Sequence, residues 1–540
     1  MAKLPGGYKL KGENLGREFK IRLREDYHLK NEKRKASLKN QILYKVSAAG
    51  SLMYLIGVTD DGEPIGISYQ ELLRSDKVLK KICSEIPVNI EKEDVIQVGE
   101  DRFIKCYLIT RKELESKLQH LTVVTVGHVG HGKSTLIASL ITGKPDDGSG
   151  KLRVYLFRHP HEIKRGLTAD LSLAFYAFNE MGEALRFSNP KDPVEQARIL
   201  QNARKIISFV DNVGHLRFFK TMVRGFSSMK PDYAMLTVSA ADGLQKGTLR
   251  AFLLLISYEI PFFIIITKAD RASEEAITKL EEQIILWLKR LGRTPYRVKD
   301  EIDVCIVASK MPEGVVPIIR TSSVTMEGLS LIDKLLWQLK PRVEAESISK
   351  PFLMYIDEIY NIVGVGPVVS GKIKWGKISK GDVVLVGPVK GEFVKAKVLS
   401  IEKYHQRISV AYAGDIIAVA LKPLKRQLRY RDYRRGMIVC DQKLNPKPVK
   451  KFIADVRIYP SPTTVKEGYC PVLYCESIRQ QVKIEKIENI EEHGVGGFTA
   501  TMTASFIYRP CFIQPGDRFV LKEHDYITGV GVVKSIFNVQ

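Results

Sequence analysis

The run Gly127-His128-Val129-Gly130-His131-Gly132-Lys133-Ser134-Thr135 constrains this chain more than any other. It opens with G-x-x-x-x-G-K-[ST]. Before it lies the β-branched stretch Leu121-Thr122-Val123-Val124-Thr125-Val126, and after it the helical stretch Leu136-Ile137-Ala138-Ser139-Leu140. A buried parallel strand reads as such a continuous apolar run. Glycines let backbone N–H groups curl around a phosphate, and the N-terminus of the next helix adds its positive end. His128, Val129, Gly130, His131, Gly132, Lys133, Ser134 and Thr135 are therefore phosphate-binding candidates. Lys133 is expected to reach the β- and γ-phosphates of a nucleotide, and the Ser134 hydroxyl to ligate Mg²⁺.

Further motifs follow in an order that fits one site. Asp211-Asn212-Val213-Gly214-His215 succeeds a strand-like run; Asp211 suits the water shell of a magnesium ion and the Gly214 N–H a γ-phosphate. Arg165-Gly166-Leu167-Thr168 offers the Thr168 hydroxyl as another metal ligand. In Thr267-Lys268-Ala269-Asp270, the carboxylate can accept both N1–H and N2–H of guanine, which adenine does not supply. Thr321-Ser322-Ser323-Val324-Thr325 ends the last strand and can present a backbone N–H to the guanine O6. The expected guanine contacts are Thr267, Lys268, Asp270, Ser322, Ser323 and Val324.

The surrounding pattern sets the architecture. Strands are expected at 205–210, 233–239, 262–267 and 316–320, separated by helical patterns such as 274–291, which argues for a doubly wound α/β domain. Beyond Pro351 come short alternating strands with Gly turns and no long amphipathic helix, the pattern of two small β-barrels with a seam near Leu444-Asn445-Pro446. Ahead of the nucleotide motifs, a strand at 53–58 and a helix at 72–86 suggest a small α/β module. With 540 residues the chain is too long for one core.

The charge is unusual. Lys+Arg number 84 against 61 Asp+Glu, a net +23 that favours a polyanionic partner such as RNA or DNA. The run from Lys425 to Arg435 mixes cations and aromatics. Its Lys425, Arg426, Arg429, Arg431, Arg434 and Arg435 are RNA-contact candidates, with stacking by Tyr430 or Tyr433. A solvated barrel edge protected by charge explains the run equally well. Asp415 and Asp517 read as turn residues, and His405 and His524 as ordinary ones. The seven cysteines are scattered without a C-x-x-C pair, so neither a zinc knuckle nor a disulfide framework is indicated and a cytoplasmic setting is expected. The N-terminus lacks the apolar stretch of a signal peptide, and the longest apolar runs are too short to span a bilayer, so no membrane association is expected.

Taken together, G-H-V-G-H-G-K-S-T, R-G-L-T, D-x-x-G-H, T-K-A-D and S-S-V-T-M-E-G-L resemble the translational GTPases of the elongation factor Tu and 1-alpha class. The histidine after D-x-x-G marks that class. The segments 363–371 and 381–388, Arg435-Gly436-Met437, Ser461-Pro462-Thr463-Thr464 and Ser477-Ile478-Arg479-Gln480 are similar to the GTP-binding protein 1 and 2 branch, and an archaeal member is expected. The resemblance implies an N-terminal α/β extension over 1–115, a P-loop GTPase domain over 116–345 and β-barrels over 350–443 and 444–540. It also implies GTP/GDP and Mg²⁺ as cofactors, and His215 as the catalytic residue that orients the attacking water once the ribosome positions it. Val129 and Leu167 would form a hydrophobic gate that holds His215 back until then. The barrels would hold the acceptor end and stem of an aminoacylated tRNA, on a monomer. The alternative is a GTP-regulated RNA-binding switch acting off the ribosome with RNA-processing or mRNA-decay machinery.

Three positions depart from the class pattern. Gly130 stands where an Asp associated with a structural monovalent cation is usual, Val213 replaces a Pro, and Thr267 replaces the Asn of N-K-x-D. Loss of that Asn is expected to remove an amide that steadies the phosphate loop.

Overall fold

The computed structural model describes residues 17–49, 51–86, 88–111, 118–156, 172–211, 219–342, 345–362, 364–404, 406–424, 428–460, 464–493, 497–524 and 526–538. The first part is a four-stranded sheet in the order Arg17–Lys20, Ser51–Ile56, Arg102–Arg111, Val88–Gly99. Helices Glu32–Ala49 and Tyr69–Ser84 cover it. Leu38, Ile42 and Val46 recur at helical spacing on the first helix, and Leu72, Leu79 and Ile82 on the second, and all are buried in one core with Leu52, Tyr54 and Tyr107 of the sheet.

The central part is an eight-stranded sheet in the order Thr294–Arg297, Val315–Arg320, Phe262–Thr267, Tyr233–Ser239, Gln119–Gly127, Lys205–Asp211, Ser172–Phe178, Ala184–Leu185. The first six strands are parallel, and the last two are joined to them through antiparallel pairings. Apolar residues of the central strands alternate between two cores on opposite faces: Leu121 and Val123 lie in one, Val124 and Val126 in the other. Both faces are thus covered by helices, which explains the unbroken apolar runs in the sequence. From Gln119–Gly127 the chain next builds the Lys205–Asp211 side and only later the Tyr233–Ser239 side. The loop after Gly127 therefore sits where the strand order reverses, at the carboxyl end of the sheet.

The remainder is β. In the first barrel the pairings run Leu353–Tyr355, Ile438–Asp441, Val383–Val389, Glu392–Lys403, Ile416–Pro423, Gly366–Trp375 and back to Leu353–Tyr355. The second is a closed six-stranded barrel. Strands such as Glu392–Lys403 alternate buried and exposed residues, the period of a half-buried strand. Among the described residues, no helix is long and apolar enough to cross a membrane. All seven cysteines are free thiols.

Buried polar contacts hold the parts together. Lys372 of the first barrel reaches into the central domain, where its Nζ donates to the Lys230 carbonyl at 2.8 Å and to Thr122 Oγ1 at 3.2 Å. Tyr404 lies against Phe175 with ring centroids 4.7 Å apart, and its hydroxyl meets His120 Nε2 at 3.1 Å. Lys374 bridges to the second barrel, pairing with Asp517 and, at 2.8 Å, with Glu476. One sequence expectation is extended here and another is corrected. Asp415 and Asp517 do accept turn N–H groups, from Tyr412 and Gln514. Each is also mostly buried in an ion pair, with Lys403 and Lys374 respectively. Tyr433 is packed in the first barrel's core at 3% exposure, so it has no free face on which a base could stack.

Candidate functional site

The phosphate loop begins where the strand Gln119–Gly127 ends. Gly127 has φ +140°, and a Cβ there would lie 2.4 Å from the Thr237 carbonyl oxygen, so only glycine lets these two strands stay in register. Gly132, at φ +79°, is the left-handed residue from which the helix Lys133–Thr142 starts. Val129 is half-buried and Gly130 exposed at the loop's tip, while Thr135 is half-buried in the helix's first turn. His131 is buried; its Nδ1 lies 3.3 Å from the Thr237 carbonyl, and burial depresses its pKa to about 4. The ring of His128 lies edge-on to it, with centroids 5.4 Å apart. Both histidines thus fill the loop from behind.

Lys133 is buried inside the loop it serves. Its Nζ donates to the Gly127 carbonyl at 3.1 Å and the His128 carbonyl at 2.9 Å. Burial pulls its pKa down to about 8, and the Asp211 carboxylate only partly opposes this. A bound phosphate would supply the opposing charge. Ser134 donates its hydroxyl to Asp211 Oδ2 at 2.5 Å, and Thr125 donates to Asp211 Oδ1 at 2.8 Å. The sheet register brings this about: Asp211 ends the strand paired with Gln119–Gly127, directly beside Thr125. Ser134 and Asp211 are a hydroxyl and a carboxylate on adjacent elements, the hard oxygen donors that suit Mg²⁺.

The two loops expected to read the base meet next to this site. Ser322 donates its hydroxyl to Asp270 Oδ1 at 2.5 Å and accepts the N–H groups of Val324 and Thr325 at 3.1 Å each. The carboxylate of exposed Asp270 is thereby aimed, and Ser323 and Val324 form the neighbouring turn. Lys268 takes a left-handed conformation with φ 57° and approaches Asp242 at 3.5 Å. Thr267 corrects an expectation. Its hydroxyl donates to the His131 carbonyl at 2.9 Å, so the link between this loop and the phosphate loop is kept by a hydroxyl in place of the amide.

Leu167, Thr168, Gly214 and His215 lie outside the described residues, as do Lys425 and Arg426. Of the other RNA-contact candidates, Arg429 and Arg431 are exposed beside the short turn Tyr430–Asp432, with Tyr430 itself exposed. Arg434 is half-buried, and Arg435 donates Nε to the Asp357 carbonyl at 2.6 Å.

Two contributors escaped the motif reading. Asp146 accepts the N–H groups of Gly148 and Gly150 at 2.9 and 2.8 Å, and its own N–H donates to the Ser323 carbonyl at 2.8 Å, tying a Gly-rich turn to the loop that carries Ser322 and Ser323. The Asp-Asp-Gly-Ser-Gly turn chemistry at 146–150 was the available signal. Arg224, on the helix Phe219–Met229, pairs with Asp357 at 3.0 Å and Glu358 at 3.1 Å of the first barrel. Nothing in the local pattern marks it.

Comparison with known proteins agrees with this geometry. Residues 118–360 match the family "Elongation factor Tu GTP binding domain". GTP-binding protein 2 of Homo sapiens is 31% identical over 504 residues, covering 91% of this chain and 81% of that protein. The chain belongs to the GTP-binding protein 1 and 2 family of translational GTPases. It binds and hydrolyses GTP. GTP-binding protein 1 of Xenopus laevis is 30% identical over 483 residues, covering 88% of this chain and 72% of that one. Among solved structures, elongation factor SelB of Methanococcus maripaludis in complex with the GTP analogue GppNHp shares the fold at TM-score 0.55 and 19% identity, covering 79% of this chain and 81% of that one. The bacterial selenocysteine-specific elongation factor EF-Sec does so at TM-score 0.56 and 21% identity, covering 77% of this chain but spanning only 58% of that one.

Proposed function

We propose that this GTPase is a translation factor which holds aminoacylated tRNA in its GTP form and hydrolyses GTP when the ribosome stimulates it, acting as a cytoplasmic monomer. The carrying observation is the Arg224 ion pair. The helix Phe219–Met229 that bears it directly follows segment 212–218, which contains Gly214 and His215. Its partners Asp357 and Glu358 belong to the first barrel. A γ-phosphate bound next to this helix would therefore bias how the barrel sits on the GTPase domain.

Within the site, the P-loop residues 128–135 and the Gly214 N–H cradle the phosphates, and Asp270 with Thr267, Lys268 and 322–324 selects guanine. Ser134, Thr168 and, through water, Asp211 would hold Mg²⁺, which would supply charge neutralisation at the phosphates. Val129 and Leu167 gate His215, and His215 orients water. Catalysis of this kind is positioning and charge stabilisation, with no covalent intermediate on the protein.

A salt titration of tRNA binding tests the RNA half of this reading. It compares the GppNHp and GDP forms of the wild type with a variant carrying Arg429→Ala, Arg431→Ala and Arg434→Ala. Arg435 is spared because it supports Asp357. Tighter binding in the GppNHp form, with a salt slope that flattens in the variant, is the expected result. Equal affinity in both nucleotide states would favour the switch that acts off the ribosome, as would the family's N-terminal module.

A further inference from the structure

The N-terminal module carries a cleft of about 630 Å³, lined entirely by residues between 22 and 77. One wall is the segment after the strand Arg17–Lys20, and the other is the helix Tyr69–Ser84. Buried Ser75 ties the walls: its hydroxyl accepts the Leu23 N–H at 3.0 Å and donates to the Leu23 carbonyl at 3.2 Å. The cleft's shape is thus fixed before any ligand arrives. Arg22, Arg24, Lys30, Arg74 and Lys77 line it, against three carboxylates.

Two of these cations are matched, Arg22 with Glu71 and Arg24 with Asp26, in exposed pairs that contribute little to stability. Lys30, Arg74 and Lys77 are exposed, and none has an ion-pair partner among the described residues; Glu25, the remaining lining carboxylate, offsets one of these three charges and leaves two in excess. Like charges gathered on a concave surface repel one another and focus positive potential into it. A fold does not gain from that arrangement alone; an anion does. Beside the cleft stands Tyr27, 43% exposed, with the Arg34 guanidinium 4.9 Å from its ring centre. Cations along a groove with an exposed aromatic at its margin suit a phosphodiester backbone with a stacked base, more than an acidic peptide.

We propose that this cleft is an RNA-binding site, separate from the barrels, that takes the sugar–phosphate backbone of a single strand across Lys30, Arg74 and Lys77. The site lets the GTPase hold a second RNA segment while its barrels are free or loaded. The proposal stands apart from the tRNA reading, and its test is run in the GDP form with no tRNA present.

The experiment measures binding of a short unstructured oligoribonucleotide to full-length protein across a salt series. It compares the wild type with Lys30→Ala/Arg74→Ala/Lys77→Ala and with the charge-keeping Lys30→Arg/Arg74→Lys/Lys77→Arg. Intrinsic GTP hydrolysis serves as the folding control. The alanine variant should bind at least about tenfold more weakly at low salt, and its salt slope should fall by about two, three cations each contributing roughly 0.7 on a single strand. The charge-keeping variant should bind nearly as the wild type does. Unchanged affinity and slope in the alanine variant would overturn the proposal. So would equal competition by polyglutamate, which would assign the cleft to an acidic protein, or saturation by inorganic phosphate with no RNA binding.

Discussion

At the residue scale, the site is organised by buried polar side chains whose protonation and pairing are set by one another. Asp270 is aimed by the Ser322 hydroxyl. Asp270→Asn should shift preference from guanine to xanthine nucleotides, because the amide no longer accepts both N1–H and N2–H; competition of GTP and XTP for the variant reads this directly, and unchanged GTP preference would contradict it. Lys133 gives a pH prediction. Its pKa in the nucleotide-free protein is about 8 and must rise when phosphate approaches, so binding favours the protonated lysine. Nucleotide affinity should therefore hold below pH 8 and fall as pH rises through it, with proton uptake on binding near that pH. Calorimetry of GDP binding in buffers of different ionisation enthalpy checks both. Gly130 bears on cations. Space is open where its side chain would be, but φ is +80°, and no carboxylate is offered to a monovalent ion. Hydrolysis rates should accordingly differ little between potassium and sodium buffers.

At the element scale, what was legible in the sequence was whatever rests on local pattern. The strands at 233–239 and 262–267 were readable because strands buried on both faces must be continuously apolar. The helix Glu274–Arg290 was readable because its Ile277, Leu280, Ile284 and Leu288 recur at helical spacing. The phosphate loop, Asp211 and the segments 267–270 and 321–325, which the fold brings together, were legible as motifs in order. The hydroxyl of Thr267 was misjudged because its acceptor, the His131 carbonyl, is far away in sequence and is brought near only by the fold. The interfaces were invisible for the same reason. His120, at the root of the P-loop strand, meets Ser208, Tyr404 and Asp415, with Lys403 and Lys372 facing the same cluster. Burial and the neighbouring lysines outweigh Asp415 and depress the His120 pKa to about 4. In the unfolded chain the ring takes up a proton near pH 6.5, so the unfolded state binds more protons between the two values. The interface is fully stable above pH 6.5 and weakens as pH falls toward 4, by about 3 kcal/mol from this group. Thermal melts at pH 7 and pH 5 should show a larger loss for the wild type than for His120→Asn; equal losses would remove His120 as the cause.

At the scale of the whole molecule, the GTPase domain and the two barrels share buried ion pairs, so a change at the nucleotide has a mechanical route outward. Arg224 couples the helix after segment 212–218 to the first barrel. Lys374 couples that barrel to the second. A net charge of +23 gives the assembly a field suited to RNA. Under the proposed function the ribosome would supply the last element, a setting in which His215 reaches the attacking water. A residue acting only in the transition state changes turnover and leaves ground-state binding nearly intact. The most direct test is therefore GTP turnover by the wild type and His215→Ala, each with and without purified ribosomes, alongside their GTP affinities. Strong stimulation of the wild type, none of the variant, and similar affinities for both are expected. A wild type that ribosomes do not stimulate, or a variant stimulated equally, would contradict the proposed function.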